Sequence, residues 1–252
     1  MNHSTRCILR GICRNADSNA CSVLCGSYIS LHGYSGSGGR IGAAGVPADY
    51  RLVTLKNSPA RAEQPAAYAL ADAYTATFVR QHDPAGPRVK SLYLFSESPG
   101  TGKTTTAAAL LNEWLTVHYV GSLQRDRQAL ERPAYFLDVN AWQNDYNTFN
   151  RPRVPDSIAE PAAARYYTAQ GAAAAAPFAV LDDVGVRECT EGFRGDLHTV
   201  INERVAAGLP TVYTSNIPMG GLSRLYDARL ADRVRDMCAE VAFMGGSQRG
   251  MR

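Results

Sequence analysis

Residues Ser98-Pro99-Gly100-Thr101-Gly102-Lys103-Thr104-Thr105 follow an apolar run starting at Leu92, and their types and order suit phosphate chemistry. Glycines at 100 and 102 allow a turn tight enough for several backbone N–H groups to converge on phosphate oxygens. Lys103 would reach the β- and γ-phosphates. The Thr104 hydroxyl would bind Mg²⁺ at the start of a helix, where the exposed N–H groups already favour anions. Glu97 stands where the usual G-x-x-x-x-G-K-[ST] loop has its first glycine, so its carboxylate is expected to point away from the phosphates. A ligand-free Gly-rich turn is the plainer alternative. Lys-Thr in register, between a strand-like and a helix-like segment, argues against it.

Three further sets of residues could serve the same chemistry. The run from Phe178 ends in Asp182 and Asp183. At the end of a parallel strand, Asp182 would hold Mg²⁺ and Asp183 would act as general base on the attacking water. Asp is shorter than the Glu often found at the second place, which predicts slow hydrolysis. Asn216 closes the segment LPTVYTSN and would sense the γ-phosphate or that water; an Asn opening the turn before Ile217-Pro218 is the alternative. Arginines at 224, 229, 233 and 235 recur along a helix-like stretch. They read either as a solvated basic face or as the source of an arginine finger. A finger acts on a neighbour's site and therefore implies self-association.

Four of the six cysteines crowd into the N-terminus as Cys7, Cys13, Cys21 and Cys25. Four thiolates fill a tetrahedral Zn²⁺ shell, and a short segment poor in core-forming residues needs such a staple. His3 and His32 flank the set as possible substitutes; free thiols on a floppy leader are the alternative. Cys189 and Cys238 stand apart and read as small buried side chains.

The elements that must position these residues divide the chain of 252 residues into a cysteine-rich module (1–32), a flexible Gly/Ser-rich connector (33–47) and an α/β core (48–252). Strands are expected at Ser91–Ser96, Ala134–Val139, Phe178–Asp183 and within Leu209–Asn216, and an alanine-rich helix is expected to end near Gln81. Residues 140–155 are polar, aromatic and weakly periodic, and read as a loop with a short helix. Trp142, Tyr146, Phe149, Arg151 and Arg153 could contact single-stranded nucleic acid there, or Trp142 could pack inward, which is the favoured reading. A net charge of +3 permits nucleic-acid contact without demanding it. No run is long enough to span a bilayer and no secretion signal is visible, so a cytoplasmic protein without membrane contact is expected.

Taken together, SPGTGKTTTA, VLDDVG, INERVAAGLPTVYTSN and RLADRV resemble the AAA+ ATPases that load bacterial replicative helicases, of the DnaC/DnaI type. The likeness runs from about Val46 to Gly246. The cysteine-rich leader is similar to the zinc-binding, helicase-interacting module of such loaders, in the form met in phage or mobile elements. The resemblance implies an αβα sandwich with a five-stranded parallel sheet, and ATP with Mg²⁺ at the sheet's C-terminal edge. It implies an adenine pocket beginning near Tyr50, Asn216 as first sensor, and Arg233, then Arg229, as finger. The helical lid is expected to be absent or minimal, and a second arginine sensor absent or reduced to a residue such as Arg249. It further implies a hexameric replicative DNA helicase and single-stranded DNA as partners. Two other functions compete: a transposition helper that coats duplex DNA in ATP-dependent filaments, and an adaptor that binds nucleotide without needing to hydrolyse it.

Overall fold

The structure, a computed structural model, describes residues 4–185, 187–224 and 228–247. Five parallel strands form one sheet: β1 (Ser91–Phe95), β2 (Ala134–Asp138), β3 (Phe178–Asp182), β4 (Thr211–Ser215) and β5 (Cys238–Ala242), in the spatial order β2-β3-β4-β1-β5. Helices cover both faces, so the inner strands are buried on both sides, β4 (TVYTS) with its hydroxyl side chains included. Alternate residues still divide between two cores. Leu92, Leu94, Val180 and Val212 face a core shared with α3 (Pro65–Thr75) and α4 (Lys103–Leu123). Tyr93, Leu181 and Tyr213 face a second core with α5 (Val139–Asn150), α6 (Asp156–Ala175), α7 (Glu191–Ala207) and α8 (Ala228–Met237).

Helix α4 begins at Lys103 and carries its charge to the sheet edge, while Ala107 to Leu111 are completely buried behind it. Small residues in that second turn let the helix lie close against the strands. Trp114 stacks on Phe178 at 4.7 Å between ring centroids and donates its indole N–H to the Pro133 carbonyl.

Residues 140–155 are not mostly loop. Asp138 caps α5 by accepting from Ala141 N–H at 2.9 Å, and the helix then runs for 12 residues. Its weak apolar periodicity reflects a helix with one aromatic face and one polar face that meets other protein. Trp142 stacks on Tyr166 at 4.8 Å and contacts Phe193, so it is core rather than a base-stacking platform. Arg151 and Arg153 are exposed beyond the helix end.

The Gly/Ser-rich stretch 33–47 is packed rather than a free connector. Gly38 N–H closes a turn on the His32 carbonyl at 2.8 Å, and a Cβ on Gly39 (φ 59°) would lie 2.6 Å from the Leu31 backbone. These glycines serve close approach, not looseness. The segment holds α2 (Gly39–Ala43), which follows α1 (Gly26–His32). Buried Arg40 donates to the carbonyls of Ser30, Ala129 and Leu130 at 2.8–2.9 Å and lies over the Tyr119 ring. Phe136 N–H reaches the Ala44 carbonyl at 2.7 Å. Ile8, Leu9 and Leu31 join the same core as α4, so the cysteine-bearing segment is docked on the α/β body. No helix among the described residues is long and apolar enough to cross a membrane.

Candidate functional site

The C-terminal ends of β1, β3 and β4 bring three separate stretches of chain to one place. β1 and β4 pair in register up to Phe95 and Ser215, and Ser96 N–H continues the ladder to the Ser215 carbonyl at 3.3 Å. The glycine loop therefore leaves the sheet directly beside Asn216. Lys103, 5% exposed, donates from Nζ to Asn216 Oδ1 at 2.7 Å and to the carbonyls of Ser98 and Ser96 at 3.2 and 3.4 Å.

The loop conformation needs its glycines. Gly100 has φ 74° and Gly102 has φ 100°, and a Cβ on Gly102 would sit 2.5 Å from the Ala60 methyl. Both values lie where side chains other than glycine are strained. Ser98 is half-buried and Thr105 is buried, whereas Pro99 and Glu97 are exposed. Thr101 is 1% exposed and its hydroxyl is buried without a hydrogen-bond partner.

β3 supplies the acids. Asp182 Oδ2 accepts from the Thr104 hydroxyl at 3.2 Å and Oδ1 from the Thr214 hydroxyl at 2.7 Å. Burial pushes its pKa up to about 7, with the charges of Asp183 and Asp138 adding to the rise and the two hydroxyls opposing it. A buried carboxylate beside a threonine hydroxyl is a hard-oxygen donor pair of the kind Mg²⁺ takes, so these residues fit that ion. Asp183 adopts φ 61°, accepts from Asn140 Nδ2 at 3.1 Å, and donates its own N–H to Thr214 Oγ1 at 2.8 Å.

Thr214 and Asn140 are residues that sequence reasoning missed. Thr214 contacts both acids from the neighbouring strand, and Asn140 reaches Asp183 from the first turn of α5. For Asn140 a signal existed, as the polar residue two places beyond the end of a buried strand. For Thr214, a β-branched residue in a strand is unremarkable, and only strand order reveals it.

Tyr50 lies away from the loop. Its carbonyl accepts from Asn112 Nδ2 at 2.8 Å, nine residues and about 13 Å along α4 from Lys103 at the usual helical rise. Gln64 occupies the ground beside the loop instead, bonding Thr101 O at 3.4 Å and both backbone groups of Met244 at 2.7 and 3.1 Å.

Arg229 and Arg233 are exposed one turn apart on α8 and line an open cleft of about 510 Å³ with His198 and Asn202 of α7. Arg233 donates to Asn202 Oδ1 at 3.2 Å. Arg249 and His3 lie outside the described residues.

The cysteine set gives no metal centre. Cys25, Cys13 and Cys21 all act electrostatically on Cys7, whose pKa is raised mainly by burial, so the four thiols share one region. Among the described residues, however, no three His, Cys, Asp or Glu side chains gather into a ligand set. His32 is committed elsewhere: its Nε2 accepts from Ile8 N–H at 3.2 Å, its ring stacks on Tyr28, and burial lowers its pKa to about 4. Cys238 is pushed up to about 12 by burial.

A five-stranded parallel sheet in this order, with a glycine loop leading from β1 into α4 at its C-terminal edge, is an α/β arrangement of the phosphate-loop type. Comparison with solved structures agrees. The chain is similar to DnaI (20% identity over 81% of this chain and 94% of that one, TM-score 0.55). It is similar to the DnaC helicase loader (17%, 79% and 100%, TM-score 0.53). It also resembles the replication initiator DnaA bound to AMPPCP and single-stranded DNA (15%, 78% and 50%, TM-score 0.50). At these identities the likeness is one of fold. No protein-family model matches the chain, and no curated protein sequence matches it significantly.

Proposed function

We propose that the chain binds ATP with Mg²⁺ and delivers a hexameric replicative DNA helicase onto single-stranded DNA during replication initiation. The observation that carries the nucleotide site is the convergence of Lys103, Thr104, Asp182 and Asn216 at one point on the sheet edge. The loader role is supported by the fold shared with DnaI and DnaC. In this reading residues 98–105 wrap the phosphates, and the orphaned Thr101 hydroxyl belongs to a loop built around a ligand. Lys103 pairs with the β- and γ-phosphates, Thr104 and Asp182 hold Mg²⁺, Asp183 takes a proton from the attacking water, and Asn216 orients water or γ-phosphate. Bound Mg²⁺ supplies charge neutralisation on the phosphates.

Arg233, with Arg229 second, is the proposed finger, presented to a neighbouring copy from an open cleft. Residues 1–32 would face the helicase, with 33–47 joining them to the ATPase core of 48–252, in a cytoplasmic protein. Zinc enters this proposal only through the spacing of Cys7, Cys13, Cys21 and Cys25. Metal analysis of purified protein, expected to give about one zinc per chain and less after Cys21→Ser, decides it.

The test is to mix the protein with the replicative helicase of its host, with and without ATP, and to measure complex size and helicase transfer to circular single-stranded DNA. ATP-dependent transfer, lost in Lys103→Ala, is expected. ATP-dependent coating of duplex DNA without helicase binding would instead indicate a transposition helper. Undiminished transfer by both Lys103→Ala and Asp183→Asn would indicate a nucleotide-independent adaptor.

A further inference from the structure

The chain leaves β3 through two left-handed residues, Asp183 (φ 61°) and Gly185 (φ 75°). Further along, Thr190 caps α7. The near end of this loop is tied to β4: Val184 N–H reaches the Thr214 carbonyl at 2.8 Å, and the Ser215 hydroxyl reaches the Val184 carbonyl at 2.7 Å. The far end has no strand to hold it.

One face of α5 supplies that hold. Asn140, Gln143 and Asn144 are spaced i, i+3 and i+4, which places them together on a helix surface. Each meets the loop. Asn140 Nδ2 donates to Asp183 Oδ2 at 3.1 Å, Gln143 Nε2 donates to the Glu188 carbonyl at 2.8 Å, and Arg187 Nη1 donates to Asn144 Oδ1 at 2.9 Å. Gln143 is 6% exposed and its bond to Glu188 is part-buried, as is that of Asn140, whereas the Arg187 bond is exposed. Asn140, Gln143, Asp183 and Arg187 line one cavity of about 20 Å³, so the anchor and the carboxylate share a wall.

The geometry points to Gln143 as a positioning residue for Asp183, acting through the 183–189 loop; this rests on the proposed role of Asp183 in hydrolysis. A general base must stay within hydrogen-bond reach of its water, and a shift of about 1 Å is enough to cost a large part of the rate. Two left-handed residues in three give the loop a backbone with little intrinsic order. With the near end tied to β4, the Gln143 amide fixes the far end to the helix that carries Asn140, and so holds the wall of the cavity that Asp183 lines. Sequence proximity does not predict this: Gln143 and Glu188 are 45 residues apart.

The test is single-turnover ATP hydrolysis by the full chain with Mg²⁺, alongside nucleotide affinity and melting temperature. Gln143→Leu is expected to slow hydrolysis about tenfold with ATP affinity unchanged, because the lost contact matters only in the reacting geometry. Arg187→Ala, which cuts the exposed tether, should slow it about two- to threefold. In an Asp183→Asn background, Gln143→Leu should have no further effect on the residual rate, the non-additivity expected of residues acting as one unit. If Gln143→Leu does not fold, Gln143→Asn takes its place in the same cycle, its shorter side chain falling short of the Glu188 carbonyl. An unchanged rate in the Gln143 variant beside an impaired Asp183→Asn overturns the inference, as does an equal fractional loss in both backgrounds. A fully active Asp183→Asn instead overturns the reading of Asp183 itself.

Discussion

Lys103 Nζ donates to Asn216 Oδ1 at 2.7 Å across 113 residues of chain, because β1 and β4 are neighbours and each ends at the same sheet edge. The ammonium and the amide are thus in direct contact beside the glycine loop. Replacing them should have separable effects. Lys103→Ala removes the charge-assisted contact and should weaken ATP binding by about a hundredfold, read by titration with a fluorescent analogue. Asn216→Ala should bind ATP nearly as well while hydrolysing it about a hundredfold more slowly, since its amide matters most where charge develops.

Arg204 is 0% exposed and has no carboxylate partner among the described residues; its donors go to the carbonyls of Ala173, Ala176 and Pro210 and to Thr211 Oγ1, all at 2.7–2.8 Å. Two of those carbonyls end α6, the negative end of a helix dipole, which suits a cation. Arg204→Met should destabilise the fold by about 3 kcal/mol or more, because the carbonyls lose their donors in a site closed to water. Arg204→Lys should recover little, since one ammonium does not span the fork. Denaturant midpoints measure both.

Arg40 joins the cysteine-bearing segment, through the Ser30 carbonyl, to the carbonyls of Ala129 and Leu130. Arg40→Ala should loosen that junction while leaving the ATP site intact. Limited proteolysis is expected to cut near residues 33–47 in the variant and not in the parent, with ATP affinity within about twofold.

His118 reports on the same junction through pH. Its Nε2 accepts from Leu130 N–H at 3.0 Å and its Nδ1 meets Gln81 Oε1 at 2.9 Å, an arrangement for the neutral ring. Burial, then the charges of His82 and Arg40, lower its pKa from 6.5 to about 4. The unfolded chain therefore takes up a proton below about pH 6.5 that the folded chain refuses until about pH 4, so stability falls as pH drops through that window. His118→Gln keeps an acceptor and does not titrate. Its melting temperature should fall less than the parent's between about pH 7.5 and pH 5, by calorimetry.

Much of the fold was legible in the chain. The runs at Ser91, Ala134, Phe178 and Thr211 appear as strands within a residue or two of expectation, because strands buried in a parallel sheet are rich in apolar and β-branched residues. The segments that misled did so for physical reasons. Residues 33–47 look flexible by composition, yet their glycines permit backbone contacts that no larger residue would allow. Residues 139–150 look irregular because α5 turns its polar face to the 183–189 loop rather than to solvent, which breaks the usual contrast between a wet face and a dry one.

The phosphate loop, the paired acids and the sensor-like asparagine were determined by sequence alone, since each depends on residue types a few positions apart and on the strand that delivers them. Strand order decided the rest. Placing β4 between β1 and β3 sets Thr214 against Asp182 and puts Asn216 on Lys103. Those contacts join residues 32 to 113 positions apart. Local propensity carries no record of such distances; they follow from which buried surfaces fit together once the sheet has formed.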